Sequence, residues 1–161
     1  MSATLTVTHT ESLTLNGAQQ GGTNTLTITG INNASKSIVN CLTASETAIL
    51  GVSTADSTDL GKSYLAGQFD EDTVRYIRIT NLDDTNHIAL ILKNENNDEF
   101  GVKVDKGCSF IYGVDLAEGV VDTMDSADAA GITPDSFGDL VDITCAANTA
   151  ACDVEVFVAS I

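Results

Sequence analysis

The chain has 161 residues, with Lys+Arg 7 against Asp+Glu 23 and a formal net charge of −16. That length suits one domain, and 43% hydrophobic residues supply a core, so the acidity is not that of a disordered tail. So negative a chain, with only Arg75 and Arg78 close together among its cations, argues against nucleic acid or an anionic membrane as a partner.

No run of 18 apolar residues exists to span a bilayer as a helix, and MSATLTVTHTES lacks the basic and apolar regions of a signal peptide. The expectation is a chain that stays in the cytosol where it is made. Thr is abundant, Gly 13 and many Asn and Asp supply turns, and the single Pro is Pro134. Lys, Arg and Glu, which populate helix surfaces, are scarce. The balance predicts an all-β chain, with edges that carry few protective charges and are best covered in an oligomer.

In chain order, Thr4 to Thr8 alternates, with Leu5 and Val7 on one face, and Ser12 to Leu15 repeats the pattern with Leu13 and Leu15. Asn16-Gly17 signals a turn, followed by Gly21-Gly22. Asn24 to Gly30 predicts a strand with Leu26 and Ile28 inward. Ser37 to Thr43 reads as a strand buried on both sides, and Glu46 to Ser53 as a strand despite a capping-box match at Thr43 to Glu46.

Thr54 to Gly67 reads as a loop. Thr73 to Asn81 is the clearest strand, with Arg75, Ile77 and Ile79 on one face and Val74, Tyr76 and Arg78 on the other. Asp83 to Asn86 makes a turn into His87 to Lys93, where Ile88, Leu90 and Leu92 oppose Ala89 and Ile91. A polar turn at Asn94 to Asp98 precedes alternating Phe100, Val102 and Val104, and Lys106-Gly107 turns into Cys108 to Tyr112.

Gly113 to Gly138 is acidic and weakly patterned, a long loop or arm with a short helix suggested at Thr133-Pro134. Leu140 to Cys145 and Asp153 to Ile161 close the chain as a hairpin, Val154, Val156 and Val158 facing one way and Glu155, Phe157 and Ala159 the other. The sum is one domain over residues 1–161: an antiparallel β-sandwich or jelly roll of roughly eight to ten short strands. Residues 1–15 and 113–138 fit a compact core least and are expected to make contacts.

Candidate chemistry is thin. His9 and His87 are the only histidines and lack the close His pair of a jelly-roll metalloenzyme. No G-x-S-x-G elbow marks a hydrolase, and Gly17, Gly21, Gly22 and Gly30 are turn glycines without a phosphate-loop Lys-Ser/Thr. Cys41, Cys108, Cys145 and Cys152 lack zinc spacing and are expected as small buried thiols. A Cys145–Cys152 bridge is the alternative, in an oxidising medium.

Asp70-Glu71-Asp72, Asp83-Asp84, Asp98-Glu99 and the Asp122, Asp125 and Asp128 series read as solvated loop charge, with Ca²⁺ as the alternative occupant. Tyr64, Tyr76 and Tyr112 are the residues that could stack on a sugar. Tyr76 and Tyr112 lie within predicted strands and read as packing residues. No catalytic, cofactor-binding or metal-ligating residue is assigned, and the chain is not read as an enzyme.

One stretch resembles a known group. In YIRITNLDDTNHIALILKNENNDEFGVKVDKGCSFIYGVD, Tyr76 to Asp115, a strand ends in R-I-T-N, then come an acidic turn, an apolar strand, F-x-V-K-V, a Lys-Gly turn and S-F-I. The opening ESLTLNGAQQGGTNTLTITGINNASKSIV and the closing DVEVFVAS fit the same pattern. This resembles the virion proteins of tailed bacteriophages with small β-sandwich or jelly-roll folds, particularly head decoration (cement) proteins. The resemblance implies a homotrimer in the virion, assembled in the host cytoplasm. Its partner would be the major capsid protein, and its work would be to bridge capsomers. Tail or fibre components that contact the host surface share such patterns and are the alternative, ahead of a carbohydrate-binding or adhesin module.

Overall fold

The computed structural model describes residues 2–52, 69–70, 72–94, 99–112, 124–125, 137–138 and 140–161. The expected loop at Thr54 to Gly67, the turn at 95–98, the helix at Thr133-Pro134, Tyr64, Asp122 and Asp128 lie outside the described residues, as does most of 113–138. Among the described residues fourteen strands follow in order: β1 (Ala3–Thr10), β2 (Thr14–Leu15), β3 (Ala18–Gln19), β4 (Thr23–Ile31), β5 (Asn33–Cys41), β6 (Thr47–Gly51), β7 (Val74–Asn81), β8 (Ile88–Asn94), β9 (Glu99–Val104), β10 (Ser109–Tyr112), β11 (Met124–Asp125), β12 (Phe137–Gly138), β13 (Leu140–Ala147) and β14 (Cys152–Ser160). No helix occurs among the described residues, as the composition predicts.

Eight of these strands form two four-stranded antiparallel sheets, β10-β7-β14-β5 and β6-β13-β8-β9. The pairing is nested. Among the eight, first pairs with last (β5–β14), second with seventh (β6–β13), third with sixth (β7–β10), and the middle two pair with each other (β8–β9). That is a long antiparallel ribbon rolled up on itself, the jelly roll, in which side chains from the two inner faces share one core.

Alternation selects the inner faces. Ile88, Leu90 and Leu92 on β8, Ile143 and Cys145 on β13, Ile77 and Ile79 on β7, and Val154, Val156 and Val158 on β14 meet between the sheets, nearly all fully buried.

The rolled topology corrects three expectations. The last two strands are not a hairpin: β13 lies between β6 and β8, β14 between β5 and β7, and residues 148–151 carry the chain from one sheet to the other. The strand at Ser37 to Thr43 is not buried on both sides. Residues 37–41 of it belong to β5, an edge strand, and Ile38 is 61% exposed. The face of β7 also switches near its start. A register shift opposite Ala159 and Ser160 turns Val74 into the main core with Ile77 and Ile79. Arg75, expected on that face, instead donates Nη1–H to the Asp72 and Val74 carbonyls.

The cysteines are corrected by the same topology. Cys41 on β5 and Cys145 on β13 form a disulfide that joins the two sheets, with a Cα–Cα distance of 6.1 Å. Cys152 lies beside Cys41 in the β14–β5 register yet remains a buried thiol, and Cys108 is an exposed one. A Cys145–Cys152 bridge had assumed the hairpin that does not form.

Ahead of the jelly roll, residues 3–31 make one long hairpin. A single register runs from Thr4↔Thr29 through Thr10↔Thr23 to Thr14↔Gln19 and Leu15↔Ala18. Bonds from Glu11 N–H to the Gly22 carbonyl and from Gln20 N–H to the Leu13 carbonyl carry it past the gap between the strand pairs. The turn is Asn16-Gly17, with φ of 52° and 78°, the left-handed pair that a tight hairpin of this hand requires. Gly21 allows a close approach, since a Cβ there would collide with the Glu11 carbonyl.

The base of this arm lies on the outer face of the β10-β7-β14-β5 sheet. There Ile28 and Ile31, with Leu5, Val7 and Leu26 beside them, cover Tyr76 and Ala159 in a second core. Beyond the base, every residue from Thr8 to Thr25 is exposed except the half-buried Gly21.

Candidate functional site

The arm does not cover the whole outer face. Register sets out what remains: Lys36, Phe157, Arg78 and Ile111 lie side by side across β5, β14, β7 and β10. The next row holds Ile38, Glu155, Thr80 and Ser109. Between this floor and the arm lies a groove of about 470 Å³, lined on the arm side by Leu5, Thr6, Val7, Thr8 and His9. Five consecutive residues can line one groove only if the strand stands edge-on to it, because successive side chains point to opposite faces. No strand pairs with that edge of β1 among the described residues.

The floor is aromatic and cationic. Tyr76 and Phe157 meet edge to face with centroids 5.9 Å apart, and the Arg78 guanidinium carbon lies 6.0 Å from the Phe157 centroid. Glu155 holds the two cations together: its carboxylate accepts from Lys36 Nζ at 2.8 Å and from Arg78 Nη2 at 2.7 Å. Hydrogen bonds from Lys36 and Arg78 hold the Glu155 carboxyl below the usual carboxylate range. Burial pushes the Tyr76 hydroxyl above its ordinary value, partly offset by Arg78. Glu155 is therefore an ionised anchor for the cations, already occupied by hydrogen bonds, and a poor proton acceptor. The groove thus sets a strand edge that no described strand pairs beside an aromatic, cationic floor.

His9 lies on the arm at the groove, and His87 precedes β8 in the other sheet, so the two histidines stand on different elements. The acidic turns have structural roles. Asp83 accepts from the N–H groups of Thr85 and Asn86, which lowers its pKa, and Asp70 accepts from the Asp72 N–H at 3.0 Å. Asp105 is lowered by the Lys106 N–H and by Lys103. These are carboxylates that stabilise their own turns by local hydrogen bonds. No group of three or more His, Cys, Asp and Glu among the described residues is placed to hold a metal ion.

Tyr76 packs under the arm and Tyr112 stacks on Phe110 at 6.2 Å, so both are packing residues. Sequence reading did not single out Lys36, Arg78, Glu155 and Phe157 as a set. They come from three strands far apart in sequence, and the only available signal was that each points away from the aliphatic face of its strand. No protein-family model, no curated protein and no solved structure matches this chain.

Proposed function

We propose that this chain is a structural virion protein, a decoration or cement protein that binds the major capsid protein and bridges neighbouring capsomers. It would act as a homotrimer in particles assembled in the host cytoplasm. The observation that carries this reading is the arm. A two-stranded hairpin is at best marginally stable in water on its own, yet here about 18 residues of it extend beyond any packed face among the described residues, with Leu13 and Leu15 exposed. Such an element gains order when it lies on another protein surface.

The jelly roll is a fold of many viral shell domains, which supports the reading by analogy at the level of fold. In this role the rolled body is a rigid spacer, and the acidic surface keeps coated particles apart. The test is the ratio of this chain to the major capsid protein in purified particles. Hundreds of copies per particle support a decoration role, and a handful would move the protein to the tail. Replacing Ser12–Gly21 by an Asn-Gly turn, flanked by the bonded pair Glu11 and Gly22, keeps the arm base on the sheet. It is expected to strip the protein from particles without unfolding the body, and undiminished occupancy would defeat the role given to the arm.

A further inference from the structure

The edge of β1 that no described strand pairs has chemistry that matches itself. We propose that two copies of this chain join through it. The strand of residues 5–15 would pair antiparallel with the same strand of a second copy about a two-fold axis at Thr10, so that each arm tip lies in the groove of the other. This contact goes beyond the decoration reading and does not depend on it.

The backbone sets which residues can pair. The bonds at Glu11–Gly22 and Leu13–Gln20 show that odd-numbered residues of this strand direct their N–H and C=O groups toward β4 and β3. By alternation, Thr6, Thr8, Thr10, Ser12 and Thr14 direct theirs outward, along the unpaired edge. An added antiparallel strand must therefore bond even residues to even residues, which leaves only a few registers.

With the axis at Thr10, Thr8 bonds the partner's Ser12 and Thr6 bonds the partner's Thr14. The residues facing the groove then match as well: His9 opposes the partner's Glu11, Val7 the partner's Leu13, and Leu5 the partner's Leu15. Moving the axis to Glu11 sets two carboxylates against each other. Moving it to His9 sets Val7 against a carboxylate. One register alone brings imidazole to carboxylate and aliphatic to aliphatic at every position.

Three further observations agree. Leu13 and Leu15 are 53% and 57% exposed, and in this register they descend onto the Phe157 and Ile111 side of the groove. Glu11 is the only acidic residue in the first 35, and the groove it enters is lined by His9, Lys36 and Arg78. Those 35 residues also contain no Lys, Arg or Pro, the residues that protect a bare edge from pairing. An edge of this length without protection is what a self-complementary two-fold interface requires.

The test is sedimentation of the whole chain over a concentration series, with thermal melts of each variant. The wild type is expected to be a dimer or, where the chain also trimerises, trimers joined in pairs by this two-fold contact. Thr10→Pro removes an outward N–H without touching the ladder to β4, a place where an edge strand tolerates proline, and is expected to abolish the contact while the melt stays unchanged. His9→Glu opposes two carboxylates on both sides of the axis and is expected to weaken association several-fold, and His9→Glu with Glu11→His restores it. That restoration decides the matter even if the proline variant misfolds.

A wild type that is monomeric throughout overturns the proposal. So does an oligomer indifferent to Thr10→Pro, or a double variant no tighter than His9→Glu alone. Particle decoration that survives loss of the dimer would leave the decoration reading standing.

Discussion

The rolled body and the N-terminal arm are built from the same period-two alternation, and they end in opposite physical states. In β14 the alternate residues Val154, Val156 and Val158 meet a second sheet and are buried to within 3%. In the arm, Leu5 and Val7 find a sheet beneath them, whereas Leu13 and Leu15, on the same face of the same leg of the hairpin, find none among the described residues. The opposite face of the arm is a ladder of threonine pairs, Thr4–Thr29, Thr6–Thr27, Thr8–Thr25 and Thr10–Thr23, whose hydroxyls approach one another at 3.5 Å and 3.3 Å in the last two. Alternation therefore makes a strand; whether the strand is core or contact surface depends on what lies opposite.

The largest expected effect is in the body. Val156→Asp puts a carboxylate between the sheets with no partner and should remove most of a net stability of about 5–15 kcal/mol. A melt like that of wild type would show that β14 faces the other way. Next is the Cys41–Cys145 link, which closes a sequence separation of 104 residues. In the chain-entropy picture a loop of that order is worth at most about 4.7 kcal/mol. Cys145→Ala should melt well below the oxidised protein and become insensitive to reductant, and equal denaturation midpoints with and without reductant would refute a structural role for the bridge.

Smaller effects separate the arm from the body. Val7→Ala thins the half-buried cover over Tyr76 and is expected to cost about 1–2 kcal/mol or less, with faster amide exchange confined to residues 3–31 and little change in β8 or β13. Uniform loss of protection would mean that arm and body unfold as one unit.

Glu155 supplies a pH test. Its folded pKa lies below its unfolded value, so its contribution is present above the ordinary carboxylate range and is lost as pH falls through the folded pKa. Glu155→Gln should therefore show a shallower loss of stability in acid, and parallel curves would remove Glu155 from the acid response. The smallest effect belongs to Leu13→Ser with Leu15→Ser. Stability should stay within about 0.5 kcal/mol, while association through the arm is lost.

Much of the architecture was legible in the residues. TVRYIRITN, HIALILK and DVEVFVAS carry their alternation openly and became β7, β8 and β14 with the expected inner residues, apart from the switch at Val74. Asn16-Gly17 announced its turn. What failed shares one cause. Adjacency in sequence suggested that β13 and β14 were neighbours, that Cys145 could reach Cys152, and that an apolar run at Ile38 was interior. Each depends on which strands become neighbours once the ribbon is rolled. The groove failed to show for the same reason, since Lys36, Arg78, Phe157 and Ile111 become a row only through three ladders of long sequence separation.

The linear chain thus determined strand content, turn sites and the aliphatic side of each strand, because these follow from local sterics and a two-residue period. Tertiary structure alone decided sheet membership, the cysteine pairing, the edges left bare and the cationic, aromatic floor beneath the arm. Those depend on contacts between distant segments, and a period of two carries no record of which segment will lie opposite.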